Sequence, residues 1–316
     1  MSVYTRLTKE ELEQLLNHYD IGNFVAIEGI NEGITNSNYY LTTSLNKYIL
    51  TIFEEPNLNL EYTIELMDIL ANNKIPCPVP IKTKQNESII SVKNKPLSIF
   101  SLLPGKTITN TIPSTNMCEQ IGEIIAKIHI KSKKFTKHEV GLRDRKWFSK
   151  TAKELQDVLS HDDINLIQSE LKNQNECDKK NLPQGIIHSD LFRDNVMFKN
   201  KKLTGVLDFY YACNGYYLYD LAIIVNDWCL NKDMTINIGK QDALIKSYNK
   251  IRRLEIIEKD LWPNALRHAA LRFWLSRLYD KYYPSEGEMT HQLDPDEFKK
   301  ILIDRINNSY YLKNNA

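Results

Sequence analysis

Residues 186 to 208, I-I-H-S-D-L-F-R-D-N-V-M-F-K-N-K-K-L-T-G-V-L-D, gather a histidine, three carboxylates and two asparagines in one short stretch. His188, Asp190 and Asn195 form the pattern H-x-D-x-x-x-x-N, and Asp208 follows in L-D-F. Between Asn195 and Asp208, V-M-F and L-T-G-V-L flank the turn K-N-K-K, which has the form of a tight hairpin. Paired strands lie about 4.8 Å apart, so Asn195 and Asp208 are expected side by side at the open end. Both would offer oxygen to a hard cation, and Mg²⁺ takes few protein oxygens while keeping substrate phosphates as further ligands. Asp190 would overhang that metal and orient or deprotonate a hydroxyl, which completes a parts list for phosphoryl transfer from ATP. A lone H-x-D is common by chance. The joint pattern is not: the Asp-to-Asn spacing, the hairpin, D-F, and Y-D-L-A at 219–222 opening an apolar helix occur in order.

The elements that must position these residues change character along the chain. Thr8 to Glu11 reads as a capping box before Leu12, Leu15 and Leu16. Residues 24–53 hold three short β-rich runs broken by Gly, Asn and Ser, which predicts three antiparallel strands. Helical spacing returns at 59–72 and ends before I-P-C-P-V-P at 75–80, because Pro fixes φ and lacks an N–H. Strand-like runs follow at 88–92 and 96–103, then a clear helix at 114–131. Beyond Pro104 and Gly105 the chain reads as mostly helix, apart from the strand pair at 194–208. The expected fold class is α+β with two lobes: 1–103, β-rich with one main helix, and 104–316, mostly helical and carrying the catalytic stretch. A ligand cleft between such lobes is the natural expectation.

Composition narrows the classes further. The chain has 316 residues, 42% hydrophobic and 26% charged, with 41 Lys+Arg against 40 Asp+Glu. That is an ordinary globular composition. Its net charge of +1 argues against a nucleic-acid partner, which would need a clear basic excess. Five scattered cysteines without C-x-x-C spacing suit a reducing compartment. The first twenty residues lack an apolar core of a signal peptide, and no apolar run is long enough to span a membrane. A cytoplasmic location is expected. L-P-G-K-T at 103–107 is no phosphate loop, because Phe100 stands where the motif needs Gly and no helix start follows.

The sequence resembles the aminoglycoside phosphotransferase and choline kinase group, with its protein-kinase-like fold, and within it the bacterial homoserine kinases. The strings that carry the resemblance are G-I-N-E-G-I-T-N-S-N-Y-Y, Y-I-L-T-I-F-E, H-S-D-L-F-R-D-N-V-M-F, L-D-F-Y-Y-A-C-N, Y-D-L-A-I-I-V-N-D-W-C and A-L-R-F-W-L-S-R-L-Y-D, spread over residues 29–280. The resemblance implies Asp190 as catalytic base, Asn195 and Asp208 as metal ligands, His188 as a brace of the catalytic loop, and Asp220 as its buried acceptor. It implies a phosphate-covering loop at 29–38 with Asn36, Ser37 and Asn38 as donors, and a hinge at Phe100–Leu103, including Ser101, against which adenine lies. Related kinases carry a Lys on the third strand; here that position is Thr51, which leaves open how the phosphates are neutralised.

The implied reaction is ATP- and Mg²⁺-dependent phosphorylation of the L-homoserine hydroxyl, a step of threonine biosynthesis. Homoserine needs an anion for its ammonium and an Arg for its carboxylate. Asp227, seven residues after Asp220 and so near the same helix face, is the candidate for the ammonium, with Trp228 as wall or core. Arg272 is the candidate for the carboxylate, with Arg267 on the same predicted helix, and Tyr210 has two readings, pocket lining and packing. Rival readings are a kinase for an aminoglycoside, choline or methylthioribose, and a nucleotide-binding scaffold without catalysis. Whether the chain works as a monomer or a homodimer is left open by the sequence.

Overall fold

The computed structural model describes residues 5–30, 36–54, 58–109, 111–177, 181–284 and 293–313, which form two units. The fold class is α+β. The first unit takes residues up to Pro104 together with Gly205–Tyr210, and the second takes Gly105–Thr204 and Tyr211 onward. The contiguous division at 103/104 therefore omits a short return of the chain. Val206 N–H donates to the Pro76 carbonyl at 2.7 Å, and Tyr210 packs edge-on against Phe53, so the end of the hairpin and the residues just after it belong with the first unit.

The first unit begins with α1 (Lys9–Leu16), started by the Thr8–Glu11 capping box. Its sheet contains β1 (Phe24–Gly29), β2 (Ser37–Thr43) and β3 (Lys47–Ile52). The helix α2 (Leu60–Asn72) follows, then β4 (Pro80–Ile81), β5 (Ile90–Val92) and β6 (Lys95–Ser101). The sheet order is β1-β2-β3-β6-β4, with β5 also on β6, and all pairs are antiparallel. Leu12, Leu15 and Leu16 of α1 close over Tyr39, Leu41, Leu50, Ile52, Leu97 and Ile99 of the sheet. Each fully buried aliphatic side chain there contributes about 1.5–3 kcal/mol.

The second unit contains β7 (Lys106–Thr107), α3 (Thr115–Lys131), α4 (Arg145–Glu154), α5 (His161–Cys177) and β8 (Gln184–Ile187). The hairpin of β9 (Val196–Lys199) and β10 (Lys202–Val206) turns at Asn200 and Lys201, both at positive φ, the backbone twist that a two-residue hairpin loop requires. Then come β11 (Cys213–Tyr216), α6 (Tyr217–Trp228), α7 (Ile238–Asn249), α8 (Ile256–Asp260), α9 (Trp262–Tyr282) and α10 (Pro295–Asn307). Two pairings depart from the expectation of an otherwise helical lobe: β7 adds to the hairpin, and β11 pairs with β8. Q-G-I-I and C-N-G-Y carry no alternation, and only long-range pairing makes them strands.

Apolar burial on most sides makes α9 the centre of this unit, where it packs against α5, α6 and α10. Gly122 lets α3 lie directly on α7: a Cβ there would come within 2.2 Å of the Leu244 carbonyl oxygen. His268 of α9 meets Phe148 and Tyr219 edge-on, and burial lowers its pKa to about 4 from 6.5. The folded state thus holds this imidazole neutral, while the unfolded chain takes up a proton below about pH 6.5. Stability from this site is fully present above that pH and falls between 6.5 and about 4, by roughly 3 kcal/mol at most. Urea unfolding at pH 7 and pH 5 should therefore show a smaller acid loss in His268→Gln than in the wild type. An equal loss in both proteins would disprove this source of acid sensitivity.

Candidate active site

The loop after β8 turns sharply at Ser189, whose φ of 68° is costly for a residue with a Cβ. Asp220, fully buried in the first turn of α6, holds that turn in place. Its Oδ2 accepts from His188 N–H at 2.7 Å, and its Oδ1 accepts from Ser189 N–H at 2.7 Å. A third donor is His129 Nε2 of α3, 3.0 Å from Oδ2. Burial lowers the His129 pKa, against the opposing pull of Asp220, so the ring is neutral and carries its proton on Nε2. Tyr248 donates to His129 Nδ1 at 2.8 Å, and Arg252 in turn donates to the Tyr248 hydroxyl at 3.1 Å and pairs with buried Glu258. A chain of polar groups thus backs the loop from α3, α7 and α8. His188 closes the turn locally, its Nδ1 accepting from Asp190 N–H at 3.3 Å.

Asp190 emerges from this frame with its side chain 20% exposed. Arg272 Nη1 donates to its Oδ1 at 3.2 Å. Asn195 Nδ2 donates to the Asp190 carbonyl at 2.8 Å and approaches Oδ2 at 3.4 Å. The planar Asn195 amide therefore commits its nitrogen to the loop and keeps its oxygen as the group it can offer elsewhere. Arg272 is buried in mid-α9, its guanidinium 3.7 Å from the Phe273 ring centre and 5.9 Å from that of Tyr211. Asp208, two residues beyond β10, has φ of 58°.

Several expected ligand residues already have partners. Asp227, on the same helix as Asp220, accepts from Arg193 N–H at 2.8 Å and from Arg193 Nε at 2.9 Å. Burial pushes its carboxyl up to about 6, against the Arg193 charge, so at neutral pH it is an anion engaged with the loop rather than open to a ligand ammonium. Trp228 is fully buried and donates from Nε1 to the Leu191 carbonyl. Arg267 makes a two-point pair with buried Glu170 of α5. These three residues fasten the loop and α9.

In the first unit, residues 31–35 of the expected phosphate-covering loop lie outside the described residues, and Ile30 N–H pairs with the Asn38 carbonyl. Asn36 and Ser37 point inward. Asn36 Oδ1 accepts from Glu54 N–H, and Ser37 Oγ donates to Glu54 Oε1 at 2.6 Å while accepting from Thr5 N–H. Lys95 also pairs with Glu54. Asn38 lies on the other strand face, its Oδ1 accepting from Thr51 Oγ1 at 2.7 Å. Tyr210 belongs to this cluster: Thr51 approaches its hydroxyl, and burial and Asp208 push its pKa up. Ser101 pairs through N–H and Oγ with the backbone of Val79, after which Leu102 and Leu103 leave the strand. Sequence reasoning passes over His129 and Tyr248; each is an ordinary helix residue in sequence, with no spacing signal to mark it.

A sheet-rich unit, a helical unit and a braced H-x-D-x-x-x-x-N loop define a kinase-type phosphotransferase fold. The chain belongs to the phosphotransferase enzyme family, whose sequence profile matches residues 26–254. It is 41% identical over 303 residues to the homoserine kinase of Methylobacillus flagellatus, covering 96% of this chain and 94% of that protein. The homoserine kinase of Neisseria meningitidis serogroup B is 37% identical over 304 residues, covering 96% and 99%. Among solved structures, an amicoumacin kinase in complex with AMP-PNP, Ca²⁺ and Ami superposes with a TM-score of 0.71 at 13% identity, covering 94% of this chain and 91% of that one. At that identity the likeness is one of fold. No helix among the described residues is long and apolar enough to cross a membrane.

Proposed function

We propose that the protein transfers the γ-phosphoryl group of ATP to the side-chain hydroxyl of L-homoserine, giving ADP and O-phospho-L-homoserine. The observation that carries this reading is a carboxylate, Asp190, held by Arg272 and Asn195 on a braced loop, in a chain similar to homoserine kinases along nearly its whole length. Asp190 accepts the hydroxyl proton as the substrate oxygen bonds to phosphorus and the bond to the ADP oxygen breaks. His188 and Asp220 keep that carboxylate in place, and Asp227 anchors the loop through Arg193. Arg272 serves the acceptor carboxylate.

Asn195 and Asp208 are our metal ligands. The donor set fits: an amide oxygen left over after its nitrogen is committed, and a carboxylate, are hard oxygen donors suited to Mg²⁺. Bound Mg²⁺ supplies neutralisation of phosphate charge, a duty made heavier by Thr51 standing where related kinases have Lys. Asn38, Thr51 and the backbone near Ser101 and Leu103 are our nucleotide contacts. Asn36 and Ser37 act instead through Glu54, fixing the start of β2. A cytoplasmic setting fits the free, buried Cys77, Cys118, Cys213 and Cys229.

The test is ADP release with Mg·ATP across L-homoserine, choline, methylthioribose and kanamycin. Turnover with homoserine alone is expected. Preference for another of the four, or silence on all of them, would overturn the assignment of the acceptor.

A further inference from the structure

The face of α9 beyond Arg272 holds a group of polar atoms that internal pairing leaves unsatisfied. Arg272 Nε is buried without a hydrogen-bond partner, and so is Ser276 Oγ one turn further on. Arg143 Nε, from the loop before α4, is in the same condition, although its guanidinium stacks 4.6 Å from the Trp147 ring centre. That loop is fixed at both ends. Glu139 and Asn214 exchange hydrogen bonds at 2.9 Å, and Asp144 caps α4 by accepting from Trp147 N–H. Asp280 is two turns beyond Arg272 on α9, and the charges of Arg143 and Arg272 both act on its carboxylate. Residues four apart on a helix share a face, so Arg272, Ser276 and Asp280 form one stripe.

A buried donor left without an acceptor is costly, at about 1–3 kcal/mol each. Three in one neighbourhood, two of them on guanidinium groups, describe a place built for an anion with several lone pairs. Asp190 and Asp280 already balance the two arginine charges, so it is the unpaired N–H and O–H groups that a ligand carboxylate would satisfy. Arg272 also ties the stripe to Asp190 through Nη1, so a ligand held by Nε has its far end directed towards the base. Asp280, nearer the solvent, remains for a ligand cation.

We propose that Arg143, Arg272, Ser276 and Asp280 form the site for the amino-acid head of the acceptor, with the two arginines and Ser276 on its carboxylate and Asp280 on its ammonium. The inference rests on the homoserine reading above and deepens it, with Asp280 taking the part first expected of Asp227. Selectivity follows from the same atoms. An amino alcohol without a carboxylate leaves the buried N–H groups unpaired, a penalty of the kind by which hydrogen-bonding sites reject analogues lacking the matching group.

Arg143 and Asp280 are the residues to change, because neither is fully buried. Steady-state kinetics on Arg143→Met and Asp280→Asn should show KM for L-homoserine raised about 10–100-fold, the range of a lost charged hydrogen bond, with kcat and the KM for ATP little changed. Arg143→Lys should recover part of the loss. With L-homoserine amide, whose carboxylate is neutralised, the wild type should show the raised KM and Arg143→Met should add little to it. A KM for homoserine within about twofold of wild type in both variants, or a loss confined to kcat, overturns the site. Absence of homoserine turnover in the wild type would instead sink the acceptor reading itself, so the two failures are distinguishable.

Discussion

Asp190→Asn is expected to lower kcat by about 100- to 10,000-fold, the usual contribution of a positioned general base, while leaving the KM for ATP nearly unchanged. The wild-type carboxylate has a donor at each oxygen: Arg272 Nη1 at Oδ1 and Asn195 Nδ2 at Oδ2. An amide of the same shape cannot satisfy both, because its NH₂ must face one of them. The variant should therefore lose about 1 kcal/mol of stability as well, through one donor left without an acceptor. Its larger deficit is chemical, since an amide neither takes the hydroxyl proton nor carries the charge that orients it. Single-turnover phosphorylation of homoserine, together with a urea midpoint, separates these effects. A kcat within about tenfold of wild type would remove Asp190 from the role of base.

How much of this was legible in the sequence differs from element to element, for physical reasons. The hairpin of β9 and β10 was readable because its signal is local: two β-rich runs around K-N-K-K, with Asn200 and Lys201 taking the positive φ the turn needs. The sheet of β8 and β11 was not, because its partners meet only after the intervening chain has folded. Side-chain direction in β2 was legible but unused. Ser37, Tyr39, Leu41 and Thr43 alternate with Asn38 and Tyr40, so period two already assigns Ser37 to the core face and Asn38 to the other. The spacing of Asp220 and Asp227 was informative as far as it went. Seven residues apart on α6, both carboxylates meet the catalytic loop, one at His188 and Ser189 and the other at Arg193. Periodicity gives a face; it does not name the partner, and Arg193 lies too far along the chain for spacing to reveal it. His129 had no signal at all, since a histidine on an apolar helix face looks the same whether or not a buried carboxylate waits opposite.

That carboxylate, Asp220, should be the residue whose loss costs the most stability. It accepts three hydrogen bonds within the protein, from two backbone N–H groups and from His129, with no exposure to solvent. Asp220→Ala orphans all three donors at once, and by the usual cost of breaking a buried polar network it should lose about 3–5 kcal/mol. That is a large share of the 5–15 kcal/mol or so by which domains are stable at all. Asp220→Asn keeps the volume but turns at least one N–H towards an NH₂ group, so it should fall between Ala and wild type. The damage should reach function through Ser189, whose left-handed backbone is held against its own strain by that hydrogen bond. Released, the loop relaxes and carries Asp190 with it, so kcat should fall even where Asp220→Asn remains folded. Ser189→Gly supplies the discriminating control. Glycine adopts that φ without strain, so in the Asp220→Asn background it should recover part of both stability and kcat. Urea midpoints with unchanged m-values, measured beside kcat, would decide the matter. A loss below about 1 kcal/mol in Asp220→Ala, or no recovery by glycine, would mean that the loop is held by its packing and not by this carboxylate.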